Sequence, residues 1–260
     1  MSRLPYYIVE LRPWPILLAS RIMLIAISLI NWFYFYDTII LTIRLITLLL
    51  SIFQWSRDVI REATYIGKHT SYVQKLLRMG IILFILREVC FFISFFWRFF
   101  HISLAPRVEL GCNWPPAGIK PIDPIGVPLL NTIILLASGF TVTWSHYCLL
   151  NKKRVKSIII LLITTILGRY FTYLQAIEYY LSRFTITDRV YGSLFFLITG
   201  FHGIHVIIGT LFLLINMLRI LKNHFSSTHH FRFEAASWYW HFVDVVWICL
   251  YICVYWWGSL

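Results

Sequence analysis

Charged residues are scarce in this sequence, and acidic residues are the scarcest of them. Only 13% of the 260 residues are charged, Asp and Glu together number 11, and 59% of the residues are apolar. The mean hydropathy is +0.75. A soluble domain needs more polar surface than this composition supplies. The shortage of charge therefore excludes an ordinary soluble fold and makes a lipid bilayer the expected environment.

Other absences narrow the chemistry. The five cysteines form no Cys-x-x-Cys pair, which argues against a disulfide scaffold or a zinc ribbon and leaves small apolar packing as their role. Phosphate-binding glycine loops, nucleophile arrangements and carboxylate pairs suited to acid-base catalysis are not visible. We therefore predict no catalytic, cofactor-binding or metal-binding residue in this chain, which argues against an independent hydrolase.

What the sequence does contain is long apolar runs. The ten-residue alternation typical of a membrane β-barrel is missing, and helices satisfy their own backbone groups in lipid. A helix of about 20 apolar residues crosses the hydrocarbon. We predict a single all-α membrane domain, residues 1–260, in which helices 1 and 2 (14–55), a loop (56–75) and helices 3 to 7 (76–257) follow in order. The seven predicted spans are Trp14–Tyr36, Thr38–Trp55, Leu76–Ser103, Pro128–Leu150, Ser157–Leu181, Tyr191–Leu221 and Glu234–Trp257.

Basic residues collect in alternate loops. The net charge of +12 is also typical of nucleic-acid binding, but its placement favours membrane orientation, and we predict no nucleic-acid partner. Fourteen of the 23 Lys and Arg residues lie on the side that holds the N-terminus, four lie on the other side and five lie inside the spans. The positive-inside rule then places the N-terminus inside and the C-terminus outside. No Arg- and Ser-rich presequence precedes the first span, so we expect no cleaved leader.

Two spans carry side chains that could perform chemistry. His202 and His205 lie about 60° apart on the sixth helix, where they could share a metal or hydrogen-bond to neighbouring helices; without a third ligand, packing is favoured. Glu234 and His241 share a face of the seventh helix, and Asp244 lies about 60° from His241. These three residues form a predicted intramembrane polar cluster, which is either an internal hydrogen-bond network or a proton relay.

The third span, "LLRMGIILFILREVCFFISFFWRFFHIS", contains charges at membrane depth. Such charges are costly, so they mark function, pairing or an error. Phe84 and Phe92 lie one turn from Glu88, whereas Arg87 and Arg98 share a different face of the helix. Glu88 is therefore predicted to be a buried carboxylate that pairs poorly with either arginine within its own helix.

Several long motifs resemble one family. They are "RPWP", "QWSRDVIREATYIGKHT", "REVCFFISFFWRFFHISLAP", "WPPAGI", "VPLLNTIILLASG", "GFHGIHVIIGTLFLL" and "HHFRFEAASWYWHFVDVVWICLYICVYWWGS". In this order, from about Pro5 to Ser259, they closely resemble subunit three of mitochondrial cytochrome c oxidase, a haem-copper oxidase. Strings of this length in seven places are far more specific than any single motif.

The resemblance implies a non-catalytic subunit of the mitochondrial inner membrane with its N-terminus in the matrix. Two helices would form one bundle and five another, with a lipid-filled cleft between them. The implied partners are the catalytic subunit one, the other oxidase subunits and phospholipid, while haem and copper would belong to the partner subunits. The implied role is to support proton uptake and turnover stability of the oxygen-reducing, proton-pumping subunit.

The resemblance also assigns residues. Glu88 matches the family's buried, carbodiimide-reactive carboxylate. Four residues match positions near phospholipid head groups: Arg61, Arg219, His229 and Phe231. Basic groups at the inner membrane edge suit anionic lipid independently of the family.

Seven arginines depart from the family pattern, where a serine or another small residue is usual: Arg12, Arg21, Arg44, Arg87, Arg98, Arg189 and Arg232. We hypothesise that many of them are serines, produced by reading AGA and AGG codons with the wrong mitochondrial code. An arginine at the bilayer centre costs at least about 2.5 kcal/mol on insertion scales. The 38 isoleucines against four methionines are consistent with the same misreading at ATA. The alternative is that these arginines are real and snorkel or pair between helices.

Other functions remain open at this point. The same family includes the equivalent subunit of quinol oxidases. A different class would be an independent transporter or a di-metal membrane enzyme. A transporter should show an internal repeat with broken helices, and a di-iron enzyme should have more clustered histidines than "HGIH" and "HH" provide; neither feature is found in the sequence.

Overall fold

Seven long helices follow one another in the computed structural model, which describes residues 9, 11–106, 108, 111–226 and 229–259. No strand occurs in those ranges, and all seven helices are long and apolar enough to cross a membrane. The predicted all-α fold with seven spans is confirmed. Two basic residues counted for the orientation, Arg3 and Arg107, lie outside the described residues. The helices are α1 (Trp14–Phe35), α2 (Thr38–Arg61), α3 (Ser71–Ser103), α4 (Val127–Leu150), α5 (Arg154–Leu181), α6 (Arg189–Leu221) and α7 (Phe231–Leu250).

The loop predicted at 56–75 is largely helical. α2 continues to Arg61 and passes into a π-helical turn, Glu62–Ile66, which ends at Gly67 with a φ of 68°. α3 then begins at Ser71. Hydropathy reports only the apolar part of a helix, whereas Arg, Gln and Lys are good helix formers that extend it into the polar region. At the other end of the chain, α7 passes into a π-helical segment, Tyr251–Trp256.

The chain divides into two compact units, Met1–Leu77 and Arg78–Leu260. In the first unit, α1 and α2 form a helical hairpin. Asp37 caps α2 by accepting a hydrogen bond from the Ile39 backbone N–H at 3.0 Å, which fixes the tight turn between the two helices. Two arginines then bridge the pair in opposite directions, as described below.

The second unit has an aromatic core where α5, α6 and α7 meet. Trp240 of α7 is fully buried, and its indole N–H donates to the Ser138 hydroxyl at 2.9 Å. A Cβ at Gly168 would come within 2.7 Å of the Trp240 ring, and one at Gly209 would come within 2.9 Å. The two glycines therefore allow α5 and α6 to approach a large buried ring, as small residues do between membrane helices.

Five helix ends lie together at one end of the second unit. α3, α5 and α7 begin there, and α4 and α6 finish there, as contacts between these segments show: Arg78 of α3 binds Glu234 of α7, and Arg154 of α5 donates to Asn223 just after α6. We call this the basic end of the second unit, because it carries a group of cationic side chains: Arg78, Lys152, Lys153, Arg154, Lys156, Arg219, Lys222 and Arg232.

Candidate functional site

Glu88 is a largely buried carboxylate with two partners. Its side chain is 13% exposed on α3. Oε2 lies 3.1 Å from His205 Nε2 on α6, and Oε1 accepts a hydrogen bond from Arg87 Nη2 at 2.6 Å. The prediction that Glu88 pairs poorly with the arginines of its own helix is therefore wrong for Arg87, because two long side chains that start about 100° apart can still meet beside the helix. Phe92, which is buried, packs its ring against the His205 ring with centroids 5.1 Å apart. Apolar rings thus surround a polar pair inside a membrane helix.

The hydrogen bonds of His205 determine how many protons lie between His205 and Glu88. Nδ1 lies 2.7 Å from the Phe201 carbonyl oxygen, and because a carbonyl only accepts, Nδ1 must carry a proton. Nε2 then meets Glu88 either as the lone pair of a neutral ring or as the N–H of a charged one. In the first form Glu88 is the protonated acid, and in the second it is the carboxylate. In both forms the contact contains one proton, held between the two residues.

His202, the other histidine of the H-x-x-H motif, has different surroundings. It is 1% exposed, and its Nε2 lies 3.2 Å from the Val243 carbonyl oxygen of α7. Its ring packs against Trp247, with centroids 5.1 Å apart. Neither His202 nor His205 belongs to a group of three metal-ligand side chains in the described parts of the chain. The motif therefore connects α6 to two different helices, as the packing interpretation expects.

The polar residues of α7 have separate partners. Glu234 forms a two-pronged ion pair with Arg78, with the guanidinium Nε 2.9 Å from Oε2 and Nη2 3.2 Å from Oε1. His241 and Asp244 are 3.8 Å apart, and His241 Nε2 lies 3.1 Å from the Thr143 hydroxyl of α4. The structure thus places Glu234 at the basic end and the other two residues together beside α4, about two turns further along the helix.

Arg219 is the most unusual cation in the chain. It is only 6% exposed, although it lies in the last turn of α6 at the basic end. Its guanidinium carbon lies 4.3 Å above the Phe225 ring, which is a cation–π contact. Two buried guanidinium nitrogens, Nε and Nη1, have no hydrogen-bond partner in the described residues. A buried arginine with two donors that lack partners is suited to bind an anion.

The surroundings of Arg219 are positive. His224 lies in the segment between α6 and α7, where burial lowers the pKa of its imidazole below the ordinary value, and the charges of Arg219 and Lys222 lower it further. The charge of Arg232 also acts on Arg219. A positive field next to guanidinium donors favours a multiply charged oxyanion such as a phosphate.

The other residues matched to lipid head groups lie on helix ends. His229 and Phe231 are half-buried around the start of α7, and the His229 backbone N–H donates to the Ser226 hydroxyl at 2.9 Å. His229 belongs to the same connection as Phe225, which covers Arg219, and Phe231 begins α7. Arg61 ends α2 in the first unit, and it is exposed.

Four of the seven unexpected arginines have polar partners. Arg21 and Arg44 bridge α1 and α2: Arg21 donates to the Thr47 carbonyl at 2.6 Å, and Arg44 donates to the Leu24 carbonyl at 2.6 Å. Arg12 pairs with Glu62. Arg87 is 71% exposed beside Glu88.

The other three unexpected arginines are Arg98, Arg189 and Arg232, and Arg169 also lies within a predicted span. Arg98 is exposed on α3 and has no ion pair or side-chain hydrogen bond in the described residues, and the same holds for Arg169 on α5. Arg189 begins α6 with a φ of 53° and is exposed. Arg232 is half-buried in the first turn of α7. Arg98 thus has the surroundings expected of a lipid-facing position, where a serine would be far less costly than an arginine.

Sequence reasoning missed two buried carboxylates, Glu62 and Glu178, and two histidines, His146 and His230. Glu178 on α5 is 4% exposed and accepts a hydrogen bond from the Tyr255 hydroxyl at 2.6 Å. It lines a cavity of about 430 Å³ together with Lys120, Asp123 and Arg183. The sequence did contain a signal for Glu178: Gln175 and Glu178 lie three residues apart in a predicted span, which places two polar side chains on one helix face. His146, near the end of α4, gave no such signal, because its partners His230 and Glu234 belong to distant parts of the chain.

The chain was compared with known proteins. Residues 4–259 match the family model described as cytochrome c oxidase subunit III. The protein named cytochrome c oxidase subunit 3 from Lumbricus terrestris is 55% identical over 259 residues, covering 100% of both chains. Its namesake from Papio hamadryas is 57% identical over 254 residues, which is 98% of this chain and 97% of that one. The one from Tachyglossus aculeatus aculeatus is 58% identical over the same shares.

Proposed function

The chain belongs to the cytochrome c oxidase subunit III family, and from this premise we propose that it holds anionic phospholipid at its basic end and thereby supports the catalytic subunit. The supported activities are proton uptake and stability during turnover. The chain itself carries out no electron transfer, which belongs to the haem and copper of the partner subunits.

Family membership supplies the setting of this proposal. The chain is a multi-pass membrane subunit of cytochrome c oxidase, which implies the mitochondrial inner membrane, the respiratory chain and a complex with other oxidase subunits. We place the N-terminus in the matrix, because 14 of its 23 basic residues flank that side. The basic end of the second unit then faces the matrix, the side from which the oxidase takes up protons.

One observation carries the lipid proposal. Arg219 is buried, its Nε and Nη1 donors have no partner in the described residues, and it lies at the level where an apolar helix ends. A small anion that stays in water could bind an exposed arginine, so the burial of Arg219 beside apolar helix surfaces favours a lipid phosphate as its partner. A phospholipid adds acyl chains that can lie along the apolar helix surfaces while its phosphate reaches the guanidinium, as Leu218 and Leu221, both exposed beside Arg219, allow.

The Glu88–His205 pair supports a second part of the proposal. It is a proton-holding contact inside the bundle, and it joins α3 to α6 by side chains alone. We propose that it positions α3 against α6, because it connects side chains of these two helices. The proposed lipid and this pair therefore act on the catalytic subunit through the shape of the subunit.

The lipid proposal is tested with Arg219→Gln in the intact oxidase. Glutamine removes the charge and most donors but keeps a long polar side chain. Phospholipid retained by the purified complex is counted by mass spectrometry, and the variant should lose at least one anionic phospholipid per complex. Arg183→Gln, an exposed arginine at the far end of α5, is the matched control and should lose none. Equal anionic lipid in all three complexes would contradict the proposal.

A further inference from the structure

Three potential metal ligands meet at the basic end, and Arg219 is not among them. His146 ends α4, His230 immediately precedes α7, and Glu234 lies in the first turn of α7. One ligand atom from each lies within 4.8 Å of the other two, and this is the only such group in the described parts of the chain. His230 is 7% exposed and the Glu234 side chain 14%. We infer that His146, His230 and Glu234 form a binding site for a divalent metal ion of the zinc class.

The hydrogen bonds of His230 show which of its ring nitrogens can bind the metal ion. Its Nδ1 lies 3.2 Å from the Ser226 carbonyl oxygen, so Nδ1 carries a proton. The Nε2 lone pair of the neutral ring then points at Glu234 Oε1, 3.2 Å away, which is also an acceptor. A neutral ring would leave two acceptors in direct contact, and a cation resolves this, either as the proton of a charged imidazole, as at His205 and Glu88, or as a metal ion in its place. Histidine metal ligands commonly donate their second nitrogen to a backbone carbonyl in this way, because it fixes the ring and its tautomer.

His146 supplies the second nitrogen. Its ring lies parallel to that of Phe233, with centroids 5.5 Å apart, and 5.3 Å from the ring of His230. Its Nε2 is buried and has no hydrogen-bond partner among the described residues. A buried ring nitrogen without a partner is costly, and a metal ion would satisfy it. Neighbouring ligand atoms of a tetrahedral zinc site are about 3.4 Å apart, so the His230–Glu234 contact already has the required spacing.

Arg78 does not block the site. Its guanidinium lies closest to Glu234 Oε2, with both Nε and Nη2 at 2.9 Å, and lies 3.2 Å from Oε1. Oε1 can therefore bind a metal while Oε2 stays paired with Arg78. Carboxylates that bind metals are commonly held by a second hydrogen-bond partner in this manner. Two imidazole nitrogens and one carboxylate oxygen suit zinc, with water in the fourth position.

A bound ion would join three parts of the chain. His146 belongs to α4, His230 to the connection after α6 and Glu234 to α7, which is itself paired with α3 through Arg78. The ion would therefore fix the basic end without using Arg219 as a ligand. The inference is independent of the proposed lipid, because it concerns different side chains and a different ligand.

The test uses the intact oxidase and Zn²⁺ as the probe. The complex is freed of loosely bound metal, equilibrated with zinc, and its bound zinc is counted by elemental mass spectrometry. His146→Phe, which preserves an aromatic ring against Phe233, should bind one zinc ion fewer per complex than the unmodified chain. His101→Phe removes an exposed histidine at the far end of α3 and should bind as many as the unmodified chain.

Equal zinc in all three complexes would overturn the inference. A second measurement applies if the His146→Phe complex does not assemble. Crystals of the unmodified complex are soaked in zinc, and anomalous diffraction locates the ions. A peak between His146, His230 and Glu234 is expected. A site that stays empty at zinc concentrations that fill other sites in the same crystal would overturn the inference equally.

Discussion

At the scale of single residues, Glu88 shows how a carboxyl group is accommodated in a membrane helix. Its two oxygens meet an imidazole nitrogen and a guanidinium nitrogen, so no oxygen is left without a partner. Burying an unpaired ionised carboxylate in an apolar environment would cost many kcal/mol. The proton shared with His205 removes most of that cost, because the pair is either neutral or internally compensated.

Glu88→Gln should leave assembly intact. The glutamine amide can donate to the Nε2 lone pair of neutral His205 and can accept from Arg87, so both contacts survive. Glu88→Leu fills similar space but leaves His205 Nε2 buried without a partner, which costs about 1–3 kcal/mol. The amount of this chain in the purified oxidase, read from a denaturing gel, should be normal for Gln and reduced for Leu. Loss of the chain with Gln would refute this account of the pair.

The unexpected arginines are also a question at the residue scale. The structure gives Arg21 and Arg44 backbone carbonyl partners, but each of those carbonyls already accepts from a serine hydroxyl: Ser51 at 2.8 Å and Ser28 at 2.7 Å. Arg98 has no charged or hydrogen-bonding partner in the described residues. Serine at these positions would bond to its own helix backbone, as the existing serines do.

Peptide mass spectrometry of residues 76–103 from the isolated oxidase tests this hypothesis. We expect serine or another small residue at positions 87 and 98. Arginine at both positions would contradict the misreading at these two sites, and it would mean that α3 has buried or lipid-phosphate partners for both charges.

At the scale of helices, the packing around Trp240 depends on two glycines that have no side chain. Gly168 on α5 and Gly209 on α6 lie against the Trp240 ring, and neither has room for a methyl group. Gly203 on α6 has no atom within 4 Å of a built Cβ. Glycines in this sequence therefore differ sharply in the cost of substitution.

Gly168→Ala should destabilise the second unit by about 1–3 kcal/mol, because the methyl group forces Trp240 or α5 to move. Gly203→Ala should be tolerated, and it serves as the matched control on a neighbouring helix. The temperature at which this chain leaves the oxidase complex, followed by native electrophoresis, should fall for Gly168→Ala alone. The same temperature for both variants would show that the close contact at Trp240 is not a constraint.

The helices themselves were predictable, whereas their contacts were not. Hydropathy located all seven spans because each contains about 20 apolar residues, and it misplaced the ends only where polar helix formers such as Arg57 and Lys75 continue a helix. α6 is apolar nearly all round, so its sequence does not show which face meets α7. The partner of Glu234, Arg78, lies 156 residues earlier in the chain, and His146 is on a third helix. Such pairs depend on helix rotation, which local periodicity does not determine.

At the scale of the whole molecule, polar chemistry is confined to a few places within a largely apolar bundle. Arg219 and the three potential metal ligands lie at the basic end, Glu88 lies within α3, and Glu178 lies beside a cavity near the far end of α5. None of these places combines a nucleophile, a base and an open substrate site. Their arrangement suits the role we propose, which is to bind lipid within an oxidase complex.

The central claim is that this subunit sustains an activity located in its partners. The most direct measurement removes the chain from purified oxidase with detergent and follows oxygen consumption until the enzyme stops. The depleted enzyme should begin near the normal rate, inactivate after fewer turnovers, and regain its lifetime when the chain and anionic phospholipid are restored. A depleted enzyme that completes as many turnovers as the intact complex would contradict the account.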